Sequence, residues 1–335
     1  MAELLWKRGR TLGAGGFGVV SLASTSNAQL YGVTLPSLIA VKSCMHTASQ
    51  SLQEEAEFLR IFKDSPYIVR CFGANLTVEY GVILYNLMLE YASSGSLTDR
   101  LHHYNSGEGL PELEVKKHTK NVLLGLSHVH NRGIIHCDIK PGNILLVGTD
   151  EIAKIADFGL SMTLEQGINC EQGLIRGTER YMAPESVLNS EYGPHVDIWA
   201  LGCTVYELLT GTPLWESDSG SEEDAGDNVL YKIGFEEPKF QNSKLSNVAQ
   251  DFLKRCLVKN PNSRWTADML LNHPFLLNSS KVADTAKTSK KQSGYLSVLR
   301  RPNGNLVFKK QPHQKIAIMH GLKFVIRLKN IEQCT

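Results

Sequence analysis

Apolar positions come in short runs early in the chain and at helical spacing later. Trp6 to Ala23, Leu38 to Lys42 and Val82 to Glu90 have the short apolar character of strands. Leu52, Leu59 and Phe62 recur at helical spacing and predict a helix over Leu52 to Phe62. Further on, Val115, Thr119, Val122, Leu126 and Val129 follow one helical face, which Asn131-Arg132-Gly133 ends. Asp197 to Thr210 is hydrophobic all round, as expected for a helix buried inside a larger helical body. Near the end, Asn305 to Lys309 and Lys315 to Arg327 alternate weakly, without a strong turn signal.

Charge marks a boundary that hydropathy does not. Residues 279–335 hold 12 Lys/Arg against 2 Asp/Glu, a net of +10, while residues 1–278 carry −9. This tail opens on a Ser/Thr/Lys-rich linker, Ser279 to Ser293, and its composition predicts a poorly ordered extension. Nuclear import, nucleic acid or an acidic protein surface are the other uses of such a basic segment. Glu216 to Asp227 is the converse, with six Asp/Glu and no Lys/Arg in 12 residues. It reads as a solvated loop, or as an electrostatic contact for a basic partner. At 42% hydrophobic the chain can build a sizeable core. Seven cysteines without a Cys-x-x-Cys pair argue against a disulfide framework. No apolar stretch reaches the ~18 residues needed to span a bilayer. The start lacks a secretory h-region and the myristoylation glycine, and Cys334 is misplaced for prenylation. The expected location is cytoplasmic, nuclear or both.

The chemistry concentrates in an ordered series of motifs. Ile135-His136-Cys137-Asp138-Ile139-Lys140-Pro141-Gly142-Asn143 is followed, 14 residues after Asn143, by Asp157-Phe158-Gly159. Phosphoryl transfer needs a carboxylate aimed at the attacking hydroxyl and oxygen ligands for Mg²⁺ on the ATP side. Asp138 can supply the first, and Asn143 with Asp157 the second. Upstream, Gly13-Ala14-Gly15-Gly16-Phe17-Gly18-Val19-Val20 fits Gly-x-Gly-x-x-Gly-x-Val, whose glycines let a backbone lie close over phosphates. Ile39-Ala40-Val41-Lys42 reads as a buried strand ending in a cation, and Glu55 sits on the next helix. Ala183-Pro184-Glu185, Asp197-Ile198-Trp199 and Arg264 follow in order. Singly, a His-x-Asp is an ordinary turn, a Gly-rich run a flexible loop and Lys42 a solvated strand-end lysine. Independent turns and surface charges would not fall in this order by chance.

On these motifs residues 6–278 resemble a complete eukaryotic protein kinase domain. More narrowly they resemble the plant mitogen-activated protein kinase kinase kinases of the MEKK-like class. That match is carried by Val82 to Tyr91, His136-Cys137-Asp138-Ile139-Lys140, Gly177 to Glu185, Asp197 to Cys203, Trp265-Thr266-Ala267 and His273-Pro274-Phe275-Leu276. The resemblance implies an α+β, bilobal protein kinase fold. Its small β-rich N-lobe, with one helix, covers about residues 1–91 and its larger, mainly helical C-lobe about 92–278. Residues 279–335 fall outside the resemblance.

The resemblance also implies roles, with ATP and Mg²⁺ as cofactors. Leu12, Gly13, Gly15, Gly16 and Gly18 would cover the phosphates, and Val20 and Ala40 above with Leu145 below would sandwich adenine. Leu89 would border the back of the pocket, and Glu90-Tyr91-Ala92 would form the hinge. Lys42, held by Glu55, would grip the α- and β-phosphates; Glu55 is chosen over Glu54 and Glu57 because relatives place this glutamate three residues before an apolar pair, here Phe58-Leu59. Asp138 would act as base, Lys140 would reach the γ-phosphate, and Asn143 and Asp157 would bind Mg²⁺. Lys140 with Thr178 is the Ser/Thr-kinase pattern. Asp197 would accept backbone N–H groups from the catalytic loop, and Glu185 would form a buried ion pair with Arg264. Ser161, Thr163 and Thr178 are phosphorylation candidates.

Two positions depart from the pattern. Cys137 stands where many kinases have the arginine that pairs with an activation-segment phosphate, and Glu179 stands where relatives commonly have proline. The implied function is an ATP-dependent Ser/Thr protein kinase acting on protein substrates, MAP kinase kinases by resemblance, with no nucleic-acid partner. The alternative is a kinase-like scaffold without catalysis, against which stand Lys42, Asp138, Asn143 and Asp157, all retained.

Overall fold

The protein is described here by a computed structural model covering residues 6–277, except 17, 26–28, 31–32, 105–106, 172, 174, 217–221 and 241–243. The basic tail 279–335 and residues 217–221 of the acidic stretch therefore lie outside the described residues.

The first lobe is built on a five-stranded antiparallel sheet. Its strands are β1 (Trp6–Gly15), β2 (Gly18–Thr25), β5 (Leu38–Met45), β6 (Cys71–Glu79) and β7 (Val82–Glu90), in the order β1-β2-β5-β7-β6. A short hairpin, β3 (Gln29–Leu30) with β4 (Val33–Thr34), lies between β2 and β5. Side-chain alternation decides what faces the cleft. Ile39 and Val41 pack with Trp6, Phe72 and Met88 on one face of the sheet. Ala40 joins Leu87 and Leu89 on the other, and Lys42 shares its parity. Trp6 to Ala23 is thus two strands joined by a turn at Gly16, and the strand β6 was not foreseen because its sequence, CFGANLTVE, is half polar.

One α-helix, α1 (Gln50–Ile61), packs in this lobe, with Leu52, Glu55 and Leu59 buried. These lie three and four residues apart, so the carboxylate of Glu55 shares the apolar stripe. Glu54 and Glu57 face solvent.

The second lobe is mainly helical. It comprises α2 (Leu97–Tyr104), α3 (Glu112–His130), α4 (Leu164–Ile168), α5 (Pro184–Asn189), α6 (Pro194–Thr210), α7 (Glu222–Phe235), α8 (Asn247–Cys256) and α9 (Ala267–Leu271). Four short strands, β8 (Ile134–Ile135), β9 (Ile144–Val147), β10 (Ile152–Ile155) and β11 (Met162–Thr163), carry the loops that matter. They pair as β9 with β10 and β8 with β11. Helix α6 is buried along nearly its whole length, which explains its lack of a polar face. It starts at Pro194, not Asp197, because proline suits the first helical turn. The arrangement is the two-lobed α+β one that the resemblance implies.

Candidate active site

Lys42 Nζ lies 2.7 Å from Glu55 Oε2 and 2.8 Å from Asp157 Oδ1. Burial opposes the ammonium charge, yet the two carboxylates hold Lys42 above the usual lysine range. Burial likewise pushes the Glu55 carboxyl up, against the pull of Lys42. Asp157 goes the other way: burial opposes its charge, but Lys42 brings it below the usual carboxylate range. Asp157 adopts φ +64, a conformation that costs a non-glycine residue energy and concentrates at functional sites. Beside it Phe158 is buried, donating its N–H to Glu55 Oε1 at 3.3 Å. Its ring meets Phe62 at 5.4 Å and His136 edge-on at 4.8 Å. One carboxylate, Glu55, thereby joins strand, helix and the segment after β10.

The loop between β8 and β9 is organised by Asp197, whose side chain is fully buried. Oδ2 accepts His136 N–H at 2.9 Å and meets His130 Nε2 at 2.8 Å, while Oδ1 accepts Cys137 N–H at 2.9 Å. Burial works against this charge, but the His130 contact and the backbone donors keep its carboxyl below the usual range. Between the two tethered groups Cys137 takes φ +67, a conformation that costs a non-glycine residue energy.

Both oxygens of Asp138 are engaged. Oδ1 accepts Thr178 N–H at 3.0 Å and Thr178 Oγ1 at 2.7 Å. Oδ2 accepts Lys140 Nζ and Asn143 Nδ2, each at 2.8 Å. Lys140 Nζ also donates to Thr178 Oγ1 at 2.6 Å.

The cleft between the lobes is lined by Leu12, Gly13, Gly15, Gly18, Val20, Ala40, Lys42, Leu89, Glu90, Ala92, Lys140, Asn143, Leu145 and Asp157. Gly16 sits at the turn and is not among these residues. A Cβ built on Gly13 or Gly15 would meet nothing within 4 Å, so the strand backbone there borders open space. Gly18 differs: at φ +123 its Cβ would lie 2.4 Å from Ser43 O, and only glycine fits. The Glu90 carboxylate points away to Lys154, at 2.8 Å, so this hinge residue offers the cleft its backbone.

Asn143 spends its amide N–H groups on Asp138 O and Oδ2, which leaves its Oδ1 as an acceptor. Together with Asp157, whose side chain is 34% exposed, it forms an oxygen pair that suits a hard cation. No cluster of three or more His, Cys, Asp or Glu among the described residues could hold a metal alone. Any such ion would complete its shell from water and phosphate oxygens.

Arg264 and Glu185 meet in a two-pronged ion pair, Nη1–Oε1 2.7 Å and Nη2–Oε2 3.1 Å, with the arginine side chain wholly buried. Arg264 also donates to the carbonyls of His195 at 2.7 Å and Val258 at 2.8 Å, and stacks over Trp199. The three candidate phosphate acceptors part company. Ser161 is buried and donates to His136 O, and Thr178 is tied to Asp138. Thr163 is exposed, capping α4 by accepting Gln166 N–H. Sequence reading missed Val69, Ser96 and Asp99, which also line the cleft, and the Phe62–Phe158–His136 stack. The buried aromatic positions were a usable signal for the stack; the polar lining had none.

Comparison with known proteins points one way. The family described as protein kinase domain matches residues 6–276. Similar proteins include three from Arabidopsis thaliana. Mitogen-activated protein kinase kinase kinase 20 is 46% identical over 275 residues, 81% of this chain and 78% of the relative. Mitogen-activated protein kinase kinase kinase 18 is 42% identical, covering 82% of this chain and 78% of the relative. Mitogen-activated protein kinase kinase kinase 17 is 39% identical, covering 81% and 69%.

Proposed function

The chain belongs to the protein kinase family, and from that premise we propose that it is a MAP kinase kinase kinase. It is a Ser/Thr protein kinase that uses ATP and acts on protein substrates; MAP kinase kinases in a signalling cascade are the substrates proposed. One observation carries the catalytic reading. Lys42 bonds both Glu55 and Asp157, while Asp138, Lys140 and Thr178 form a second connected group.

Each group has work suited to phosphoryl transfer, where positioning and charge stabilisation dominate. Lys42, fixed by Glu55, binds the α- and β-phosphates. Asn143 and Asp157 would hold Mg²⁺, which when bound neutralises charge across the β- and γ-phosphates. Asp138 exchanges its contact with Thr178 Oγ1 for the incoming hydroxyl, orients it and takes its proton. Lys140 offsets charge at the transferred group, and Val20, Ala40 and Leu145 exclude water around the base. The names of the similar plant proteins support the choice of substrate.

The catalytic unit is assigned to residues 1–278 and the basic tail to 279–335, supported by the family match over 6–276. A cytoplasmic or nuclear location is proposed, in line with seven cysteines that include no Cys-x-x-Cys pair. No observation favours a non-catalytic scaffold. The test is a panel of inactive MAP kinase kinases offered with Mg-ATP to the purified chain and to Asp138→Asn. Transfer to at least one panel member, absent with the variant, is expected. Transfer to a generic acceptor only would overturn the cascade assignment, and no transfer to any acceptor would overturn catalysis.

A further inference from the structure

Helix α7 carries a surface that the phosphoryl chemistry leaves unused. Tyr231 and Phe235, one turn apart, are 63% and 66% exposed, and their rings meet at 4.9 Å. Val229 and Ile233, on the opposite side of the helix, are buried in the core, so the aromatic pair faces outward. Leu188 of α5 lies beside the pair and is 47% exposed; a Cβ on Gly234 would sit 3.0 Å from its Cδ2.

The chain around the pair is acidic. From Glu222 to Glu237 there are six Asp/Glu and one Lys, a net of −5, and Lys232 Nζ donates to the Glu216 carbonyl at 2.9 Å. Glu237 is exposed, while Glu236 meets Lys239 at 3.8 Å. Residues from Glu222 on are helical, so this part of the acidic run belongs to α7 and not to a loop. Helix α7 packs against the turn Glu179–Tyr181. That turn directly follows Thr178, whose hydroxyl occupies the place on Asp138 that an acceptor hydroxyl must take. At 1.5 Å per residue α7 is roughly 21 Å long, so the aromatic pair lies within reach of one folded domain bound at Asp138.

We propose that this face of α7 docks a basic, apolar-anchored segment of the protein substrate, separate from the sequence around the phosphorylated hydroxyl. A branched or aromatic side chain of the substrate packs on Tyr231, Phe235 and Leu188, since exposed aromatics that become buried carry much of the energy of an interface. Lysines or arginines flanking that anchor meet the net negative charge of α7 and its exit. Attraction between such exposed charges acts over about 8–10 Å, speeds encounter and weakens as salt rises. The docking role rests on the kinase reading and adds to it how a whole substrate protein is held.

The test offers two acceptors with Mg-ATP to the full chain: a whole, catalytically inactive MAP kinase kinase, and a short peptide carrying only its acceptor sequence. Tyr231→Ala with Phe235→Ala should raise KM for the whole protein about tenfold, leaving its kcat, the peptide's kcat/KM and KM for ATP within about twofold of wild type. Binding of the same whole protein, measured by titration calorimetry, should weaken about tenfold in that variant. The whole-protein KM of the wild type should rise with salt, and Glu236→Lys with Glu237→Lys should flatten the rise; an unchanged salt dependence would overturn the basic character of the segment. Equal effects on protein and peptide, or no effect on KM and Kd, would overturn the docking, as would no binding of the whole protein to the wild type. A double variant that loses self-association but keeps its KM would give the face to a second copy and overturn the proposal. Binding that depends on Tyr231 and Phe235 without any transfer would uphold the docking and count against the kinase reading alone.

Discussion

Asp197 shows how much one residue organises. It holds two backbone N–H groups of the catalytic loop and His130 of α3 from a site with no solvent access. Because its folded carboxyl titrates below the ordinary aspartate value of ~3.9, its contribution is fully present above that pH. The contribution is lost as the pH falls through the lower folded value. Asp197→Asn keeps the shape but removes the charge that holds two backbone donors. The variant should be less stable by about 2–3 kcal/mol at pH 7, and the difference from wild type should shrink on acidification. Denaturant melts at pH 7 and at pH 3 to 4 measure this; an equal loss at both would mean the charge contributes nothing. At the same scale Gly18→Ala puts a Cβ against Ser43 O at a positive φ, whereas Gly15→Ala meets open space. The first should cost ~1–3 kcal/mol of stability and the second should raise KM for ATP with little change in melting.

Elements are tied together by a few buried polar contacts. The Arg264–Glu185 pair joins α5 to the turn before α9, and Arg264 also satisfies carbonyls at His195 and Val258. Arg264→Ala strands a buried carboxylate, for which about 3–5 kcal/mol is the usual cost. A thermal melt should drop by many degrees, and a melting temperature within error of wild type would refute the pair's role. The sequence offered this contact only through family resemblance, since 79 residues separate the partners. Helix α1 was more legible. Its apolar spacing predicts the helix, the resemblance singles out Glu55, and the structure puts Glu55 on the stripe of Leu52 and Leu59 with Glu54 and Glu57 in solvent.

Across the whole molecule, the two lobes are joined at the nucleotide cleft by Lys42–Asp157 and Glu55–Phe158 contacts. Cys137 offers no guanidinium to an activation-segment phosphate, Ser161 is buried, and Thr163 serves as a helix cap. Ser161→Ala with Thr163→Ala should therefore keep kcat within about threefold of wild type, apart from any loss traced to a lower melting temperature. Complete loss of transfer in a folded double variant would show that a phosphate there is needed.

The sequence by itself determined the order of the motifs, the strand parity that turns Lys42 to the cleft, the helical stripes and the buried α6. Each is a local or periodic property, written within a few residues by side-chain size and polarity. It also pointed to Asp138, Asn143 and Asp157 as one chemistry, because residue types in a fixed order carry that meaning wherever they end up in space. Only the tertiary structure decided that Thr178 occupies Asp138, that Ser161 is shut away, and that Glu90 turns its carboxylate to Lys154. Contacts such as Lys42 with Asp157 span 115 residues, and no local pattern records which surfaces pack together. Burial and hydrogen-bond satisfaction over the whole chain settle them.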